Sequence, residues 1–403
     1  MSHYIIVGAG QAGATLAETL RKRGFEGEIT MIGEEPVPPY QRPPLSKGYL
    51  LGDMALERLF LRPEAWYGEH NVTLLTDTSV AEIDPAARGV RLSNGKTLSY
   101  DKLALTTGAE PHRLPARIGG ALAGVYAVRS LADVDAMKSE FVAGRRVLII
   151  GGGYIGLEAA AVAAKLGLKA TLVEMASRIL QRVAAKETSD YFRRLHSDHG
   201  VDLVEGVGVE ALLGDDRITG ARLTDGREIE VDFAIVGVGV APRIALAEAA
   251  GLEIENGIKT NAQAQTSDPH IYAAGDCAST PLNGTQARVE SVGNAIDQAQ
   301  IAAANMMDGT EAYVPKPWFW SDQFDVKLQI AGLNTGYDHV VVRGEGTSVS
   351  HWYYKDSSLL AVDAMNDPRA YMVGKRLIEA GKSPAPDMVA DANIDLKTIM
   401  AAG

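Results

Sequence analysis

The stretch Tyr4-Ile5-Ile6-Val7-Gly8-Ala9-Gly10-Gln11-Ala12-Gly13 decides the fold. An apolar run breaks on a G-x-G-x-x-G turn. A helical stretch follows to Arg23, and a second apolar strand, Glu28-Ile29-Thr30-Met31-Ile32-Gly33, closes on Glu34. In such a turn the first glycine takes the tight bend, the second brings bare backbone up to a pyrophosphate, and the third lets helix and strand pack closely. Gly8, Gly10 and Gly13 fill those places. The opening helix adds unpaired N–H groups and the positive end of its dipole, which together favour a diphosphate. An acid roughly 20 residues on accepts ribose hydroxyls, and Glu34 stands there.

The same unit recurs about 140 residues later, the kind of internal repeat that governs a whole fold. Val147-Leu148-Ile149-Ile150 leads into Gly151-Gly152-Gly153-Tyr154-Ile155-Gly156, a helix runs to about Leu166, and Ala170-Thr171-Leu172-Val173 ends on Glu174. Each copy is followed by a hairpin with a turn signal, at Val90–Lys96 and Ala221–Arg227, and then by a buried-strand run closing on glycine, Lys102–Gly108 and Phe233–Gly239. One glycine turn is a weak signal, since such turns also serve packing alone; two complete units make a strong one. A carboxylate at the 2′-position repels the extra phosphate of NADPH, so Glu174 predicts a preference for NADH. Arg178, four residues on, is the cation that could instead assist a phosphate. Beyond about Ser321 the pattern changes to alternating strands at Val326–Ile330 and His351–Tyr354 and a helix near Ala370–Ala380, which reads as a third, α+β domain.

Composition sets the bounds. With 46% apolar and 22% charged residues, the 403-residue chain reads as a globular protein of several domains. A net charge of −12 argues against nonspecific nucleic-acid binding, which needs a basic footprint. No apolar run reaches the ~20 residues that span a bilayer, and no basic leader precedes Tyr4, so a cytoplasmic enzyme without a membrane is expected. Cys277 is the only cysteine, which rules out an intramolecular disulfide and argues against a thiolate metal or iron-sulfur site. It reads as a small buried residue. His112, His196, His199 and His351 lack metal-ligand spacing, so no metal site is expected.

Further motifs identify a family. Arg42-Pro43-Pro44-Leu45-Ser46-Lys47, Thr107-Gly108-Ala109, Gly151 to Glu158, Thr266-Ser267-Asp268-Pro269, Ala274-Gly275-Asp276-Cys277, Glu290-Ser291-Val292 and Pro317-Trp318-Phe319-Trp320-Ser321-Asp322-Gln323 run through nearly the whole chain. In these the chain resembles the FAD-dependent pyridine-nucleotide reductases, and within them the NADH-dependent ferredoxin reductases that serve bacterial oxygenases. The resemblance implies an α/β fold of glutathione-reductase-like type. It comprises a discontinuous FAD-binding domain over 1–110 and 238–320, an NAD-binding domain over 111–237, and a C-terminal α+β domain over 321–403.

The resemblance also implies roles. Gly8, Gly10, Ala12, Gly13 and Glu34 would hold the adenosine diphosphate of FAD, with Val80 near the adenine. Arg42, Lys47, Thr107, Gly108 and Arg129 would line the rest. Gly275 and Asp276 would hold the ribityl or pyrophosphate region, and Val292 would present a helix start to the flavin pyrimidine, where a dipole favours the charge of reduction. Gly151, Gly153, Tyr154, Ile155, Gly156, Glu158, Glu174 and Gly237 would serve NAD. Lys47 and Glu158 would pair near flavin N5, and Trp320 would cover the flavin; these three are the catalytic candidates. Trp318 reads as core.

Hydride from NADH would reach FAD by positioning rather than by acid or base chemistry. The disulfide reductases of this superfamily need a cysteine pair beside the flavin, which this chain lacks, so electrons would leave singly for a [2Fe-2S] ferredoxin feeding a cytochrome P450 or another oxygenase. Docking would be transient and electrostatic, with Arg288, Lys327 and Arg369 as candidate cations. Aromatics of the third domain read as exposed, fit for a dimer contact or for docking, and a monomer is expected. The competing readings are a rubredoxin reductase, an NADH oxidase and a signalling flavoprotein resembling apoptosis-inducing factor.

Overall fold

The computed structural model describes residues 2–402. The chain divides into two units. The first comprises the chain up to Arg42 together with Ala55–Glu110 and Val240–Pro317. Its sheet runs Ile271–Ala273, Lys102–Leu105, His3–Val7, Glu28–Ile32, Val72–Leu75, every neighbour parallel. Side chains of a strand alternate between faces, and here both faces are covered, so the strands need apolar residues at every step. Tyr4 and Ile6 meet Leu16, Leu20, Ala299 and Ala303 of the helices Gln11–Lys22 and Val292–Met306. Ile5 and Val7 meet Val80, Ile83, Val90 and Leu92 of a small antiparallel sheet, Val80–Asp84, Gly89–Leu92 and Thr97–Ser99. Ile5, Ile6, Leu16 and Leu20 are fully buried, each stabilising the unit by about 1.5–3 kcal/mol.

The second unit comprises Pro43–Met54, Pro111–Gly239 and the chain from Trp318 onward. Its parallel sheet, Asp202–Glu205, Lys169–Glu174, Arg146–Ile150, Phe233–Val236, Val125–Ala127, again puts the strand that enters the glycine turn at the centre. An antiparallel sheet of Val209–Leu213, Gly220–Leu223 and Glu228–Glu230 repeats the hairpin insertion. A further antiparallel sheet is ordered Trp318–Gln323, Val326–Gly332, Ser358–Met365, Ser348–Lys355, His339–Glu345. The helix Pro368–Glu379 covers one of its faces through Ala370 and Leu377 against Trp352, Val362 and Ala364.

Three expectations change. Pro43–Met54 belongs with the second glycine turn rather than with the first. The C-terminal sheet begins at Trp318 instead of Ser321, because Trp318–Gln323 pairs residue by residue with Val326–Ala331. The aromatics Trp352, Tyr353 and Tyr354 are fully buried instead of exposed. Their strand is covered on both faces: Trp352 and Tyr354 pack under Ala370 and Leu377, while Tyr353 packs on Ala185 and its hydroxyl accepts the Ala185 N–H at 3.0 Å.

Candidate dinucleotide and redox site

The two glycine turns place their three fingerprint glycines alike. Gly8 and Gly151 take φ of +114° and +106°, the region that only glycine enters freely. A methyl on Gly8 would lie 2.2 Å from the Thr106 carbonyl oxygen, and one on Gly151 2.4 Å from that of Gly237. The third glycines pack as tightly: a methyl on Gly13 would stand 2.1 Å from Gly8 O, and one on Gly156 2.0 Å from Gly151 O. The middle glycines differ in kind. Around Gly10 and Gly153 an added methyl meets no atom within 4 Å. Protein packing therefore demands the outer glycines, while the middle ones keep open ground at a helix start. Gly10 and Gly153 are the caps of the helices Gln11–Lys22 and Tyr154–Lys165, and neither start has a side-chain cap. The orphan N–H groups of both helices are left for a ligand, and a dinucleotide pyrophosphate fits each cradle.

The acids at the strand ends are held differently. Glu174 Oε2 accepts the Gly152 N–H and Oε1 the Ala176 N–H, both at 2.7 Å, which fixes the carboxylate beside its glycine turn. Arg178 turns away, donating to the Ala184 carbonyl at 2.9 Å and to the Ser189 hydroxyl. Glu34 forms a two-pronged ion pair with Arg243, whose Nη2 donates to Oε2 at 2.8 Å and whose Nη1 donates to Oε1. These bonds hold the Glu34 carboxyl below the usual carboxylate range. Beside it Arg42 Nη2 donates to Glu35 Oε1 and Tyr40 Oη to Glu35 Oε2, each at 2.6 Å.

Within the second unit, Lys47 Nζ donates to Glu158 Oε2 at 2.6 Å. Glu158 sits on the helix Tyr154–Lys165, one turn past the glycine turn, and its side chain is 1% exposed. Burial pushes its carboxyl pKa up, against the opposing pull of Lys47 and of two hydroxyl donors. Ser46 Oγ donates to Oε2 at 2.5 Å and Ser321 Oγ to Oε1 at 2.6 Å. The Lys47 side chain is only 17% exposed, so this is no ordinary surface lysine.

Residues 2–299 match the model of the pyridine nucleotide-disulphide oxidoreductase family and residues 318–400 that of the reductase C-terminal domain. The chain belongs to the pyridine nucleotide-disulphide oxidoreductase family. It is 42% identical over 408 residues to a ferredoxin–NAD(P)(+) reductase, fdr, of a Sphingomonas species, covering 99% of this chain and 98% of the relative. It is 39% identical over 409 residues to putidaredoxin reductase CamA of Pseudomonas putida, covering 99% and 97%. Among solved structures, the covalent putidaredoxin reductase–putidaredoxin complex matches 100% of this chain and 98% of its own with a TM-score of 0.96 and 38% identity.

The other residues named from the sequence are held as follows. Gly275, at φ +83°, lies against Ala12, where a methyl on the glycine would come within 3.1 Å of the alanine methyl. The Gly275 N–H donates to Gln298 Oε1 at 3.0 Å, so the helix Val292–Met306 holds the Gly275-Asp276 turn. That helix starts at Val292 under the Ser291 cap, whose hydroxyl accepts the Asn294 N–H at 3.1 Å. Thr107 Oγ1 donates to the Arg243 carbonyl at 2.6 Å and Gly108 O accepts the Arg243 N–H at 2.9 Å, which ties these residues to the Glu34 partner. Val80 is buried at the start of the small antiparallel sheet. Arg129 and Gly237 lie in the second unit, as do Lys47, Tyr154 and Trp320. Tyr154 rests on Phe319 at 4.9 Å between ring centroids, and Ile155 is 41% exposed.

Some expected roles do not hold. Trp318 is half-buried rather than core, stacked on Trp320 at 5.5 Å and capped by Lys375 Nζ at 5.6 Å. Arg288 is no free docking cation: its side chain is 11% exposed and bonded to Glu290 and to the Asn256 carbonyl. Arg369 is exposed and pairs with Asp395 at 3.4 Å; Lys327 is exposed. The sequence reading missed Arg243, Ser321, Gln323 and Gln298, none of which sits at a fixed offset from a glycine turn. Cys277 is fully buried, with burial pushing its thiol pKa up. Among the described residues, no group of three or more His, Cys, Asp or Glu could hold a metal ion, and no helix is long and apolar enough to cross a membrane.

Proposed function

We propose that this chain is an FAD-dependent NADH:ferredoxin reductase that supplies electrons to a [2Fe-2S] ferredoxin of a cytochrome P450 or other oxygenase system. FAD and NAD(P)H are the dinucleotides of the ferredoxin reductases it resembles over its full length. The observation that carries the route of the electrons is Cys277. It is the only cysteine, it has no solvent exposure, and burial favours its neutral thiol, so no thiolate relay stands between flavin and acceptor. Bound FAD supplies the hydride acceptance and single-electron release that couple a nicotinamide to an iron-sulfur acceptor.

The chain's own residues bind and orient. The Gly8–Gly13 cradle with Glu34, Arg42, Val80, Thr107, Gly108, Arg129, Gly275, Asp276 and Val292 is assigned to resident FAD, and the Gly151–Gly156 cradle with Tyr154, Ile155, Glu174 and Gly237 to transient NADH. Glu174, already fixed by two backbone N–H groups, meets a ribose hydroxyl pair and disfavours a 2′-phosphate. Arg178 spends its guanidinium on the loop before helix Lys186–Asp198, which supports NADH over NADPH. Lys47 and Glu158 act as the charge pair addressed to the flavin ring, with Trp320 as its cover. The catalytic assignment of these three rests on the family resemblance and on the burial of the pair.

Purified yellow protein with NADH is offered a [2Fe-2S] ferredoxin, a rubredoxin, a dye or oxygen alone. Rapid, salt-sensitive reduction of the ferredoxin is the expected result. Rapid oxygen consumption without a carrier would overturn the reading in favour of an oxidase, and faster reduction of the rubredoxin would move the partner assignment there.

A further inference from the structure

Gln323 ends the run Trp318–Gln323, and nothing in the redox assignment gives it a task. It is fully buried. Its Nε2 donates to Ser321 Oγ at 3.1 Å, its Oε1 lies 2.8 Å from His196 Nε2, and Ser321 Oγ donates to Glu158 Oε1 at 2.6 Å. Three side chains of one unit thus link helix Lys186–Asp198 to the carboxylate that pairs with Lys47.

The polarity of this chain follows from its donors. A carboxylate only accepts, so Ser321 spends its proton on Glu158 and offers a lone pair behind. That lone pair takes the amide N–H of Gln323, which turns the Gln323 carbonyl toward His196. His196 must then carry its proton on Nε2. The opposite tautomer would set a lone pair against Gln323 Oε1 and bury an N–H at Nδ1, where no partner exists. Burial pushes the His196 pKa down to about 4, so the ring is neutral and able to hold this single tautomer.

We propose that Ser321, Gln323 and His196 form a positioning relay that holds Oε1 of Glu158 as a hydrogen-bond acceptor, with Gln323 setting its direction. The groups that face Glu158 are Lys47 and Ser46 from the Pro43–Leu51 segment and Ser321 from the C-terminal sheet; behind Ser321 stand Gln323 and neutral His196, with His199 beside it. Burial drives a proton onto Glu158 and these donors oppose it. Each donor withdrawn lets the proton bind more tightly. The relay deepens the assignment of Glu158 to the redox site and rests on it only for its consequence, since its contacts lie inside one unit.

The test is an infrared titration of the FAD-loaded protein, following the protonated-carboxyl band that Glu158→Gln removes. Ser321→Ala and Gln323→Leu raise the pH midpoint of that band by about one unit, a tenfold gain in proton affinity. The pH profile of NADH-dependent dye reduction moves with it at unchanged KM for NADH. His196→Gln, which still offers an amide N–H, leaves the midpoint in place, and His196→Leu moves it. Unmoved midpoints in both Ser321→Ala and Gln323→Leu overturn the relay; if Gln323→Leu does not fold, Ser321→Ala decides alone. Failure of the redox assignment looks different: Glu158→Gln would then turn over at the wild-type rate while the Ser321→Ala midpoint still shifts.

Discussion

The contrast between middle and outer glycines predicts two opposite outcomes from one kind of substitution. A methyl at Gly13 would stand 2.1 Å from the Gly8 carbonyl oxygen, whereas ordinary contact begins near 3.4 Å. Backbone must give way by about 1.3 Å, and strain of this kind costs about 1–3 kcal/mol. At Gly10 the same methyl meets nothing within 4 Å, and its φ of −104° with ψ of −161° suits alanine. The weaker cap formed by alanine and the lower entropy of its unfolded chain oppose each other, each by less than about 1 kcal/mol. Gly10→Ala should therefore melt near the wild type as apoprotein, while Gly13→Ala melts lower by about 5 °C. Retention of FAD should weaken at least tenfold, about 1.4 kcal/mol, in Gly10→Ala, because its methyl occupies the ground left for the pyrophosphate. Calorimetry of apoprotein and recovery of flavin fluorescence on release measure the two quantities separately. A Gly10→Ala protein that keeps FAD as tightly as the wild type would refute the reasoning. Gly153→Ala and Gly156→Ala repeat the experiment in the second cradle, with the KM for NADH replacing FAD release as the readout.

Glu174→Ser removes the carboxylate that disfavours a 2′-phosphate, so the ratio of kcat/KM for NADH to that for NADPH should fall at least tenfold, about 1.4 kcal/mol; an unchanged ratio places the discrimination elsewhere. Cys277→Ala removes one buried sulfur from the sheet core and should cost about 1 kcal/mol of stability with NADH–dye turnover intact; loss of turnover with FAD retained would restore thiol chemistry. His196 and His351 have pKa values lowered by burial to about 4. Each lends stability that is complete above an unfolded value of about 6.5 and is lost as pH falls toward 4, on the order of 3 kcal/mol apiece. Asp363, raised by burial to about 6, works in the reverse sense, destabilising the ionised form and regaining stability as pH falls through 6. Glu158, also raised by burial, acts in the same sense as Asp363, so the check is a comparison: between pH 6.5 and 4 the melting temperature of His196→Gln should fall less, or rise more, than that of the wild type, and an identical pH dependence in His196→Gln would contradict the assignment.

The fold was legible because its decisive signals are local. Gly8, Gly10 and Gly13 lie within one turn, the helix and strand that follow are adjacent in sequence, and the hairpins carry their own turn residues. What misled the reading was burial imposed from a distance. The run Trp352-Tyr353-Tyr354 has no pattern that distinguishes a strand covered on both faces from one with an exposed face, since periodicity reports only that side chains alternate. The second cover comes from the segment around Ala185, more than a hundred residues earlier. In the same way Pro43–Met54 carries a turn signal of its own but nothing that says which unit it packs in.

The surroundings of the Lys47–Glu158 pair were half legible for a related reason. Lys47 and Glu158 could be named because each sits in a motif whose family role is recognisable, yet the groups that set the charge state of Glu158 come from elsewhere in the chain. Ser321 is 163 residues from Glu158, and Gln323 is 127 residues from His196. A hydrogen bond across such a distance leaves no spacing rule, and serine, glutamine and histidine are ordinary surface residues by composition. Most buried polar groups are nonetheless paired. Once the sheet places Ser321 and Gln323 in the interior, their partners are forced, and so is the polarity of each bond. The proposed assignments are therefore written in two ways: locally, in glycine turns whose open middle positions the sequence itself spells out, and globally, in donors that only the folded second unit brings to the Glu158 carboxylate.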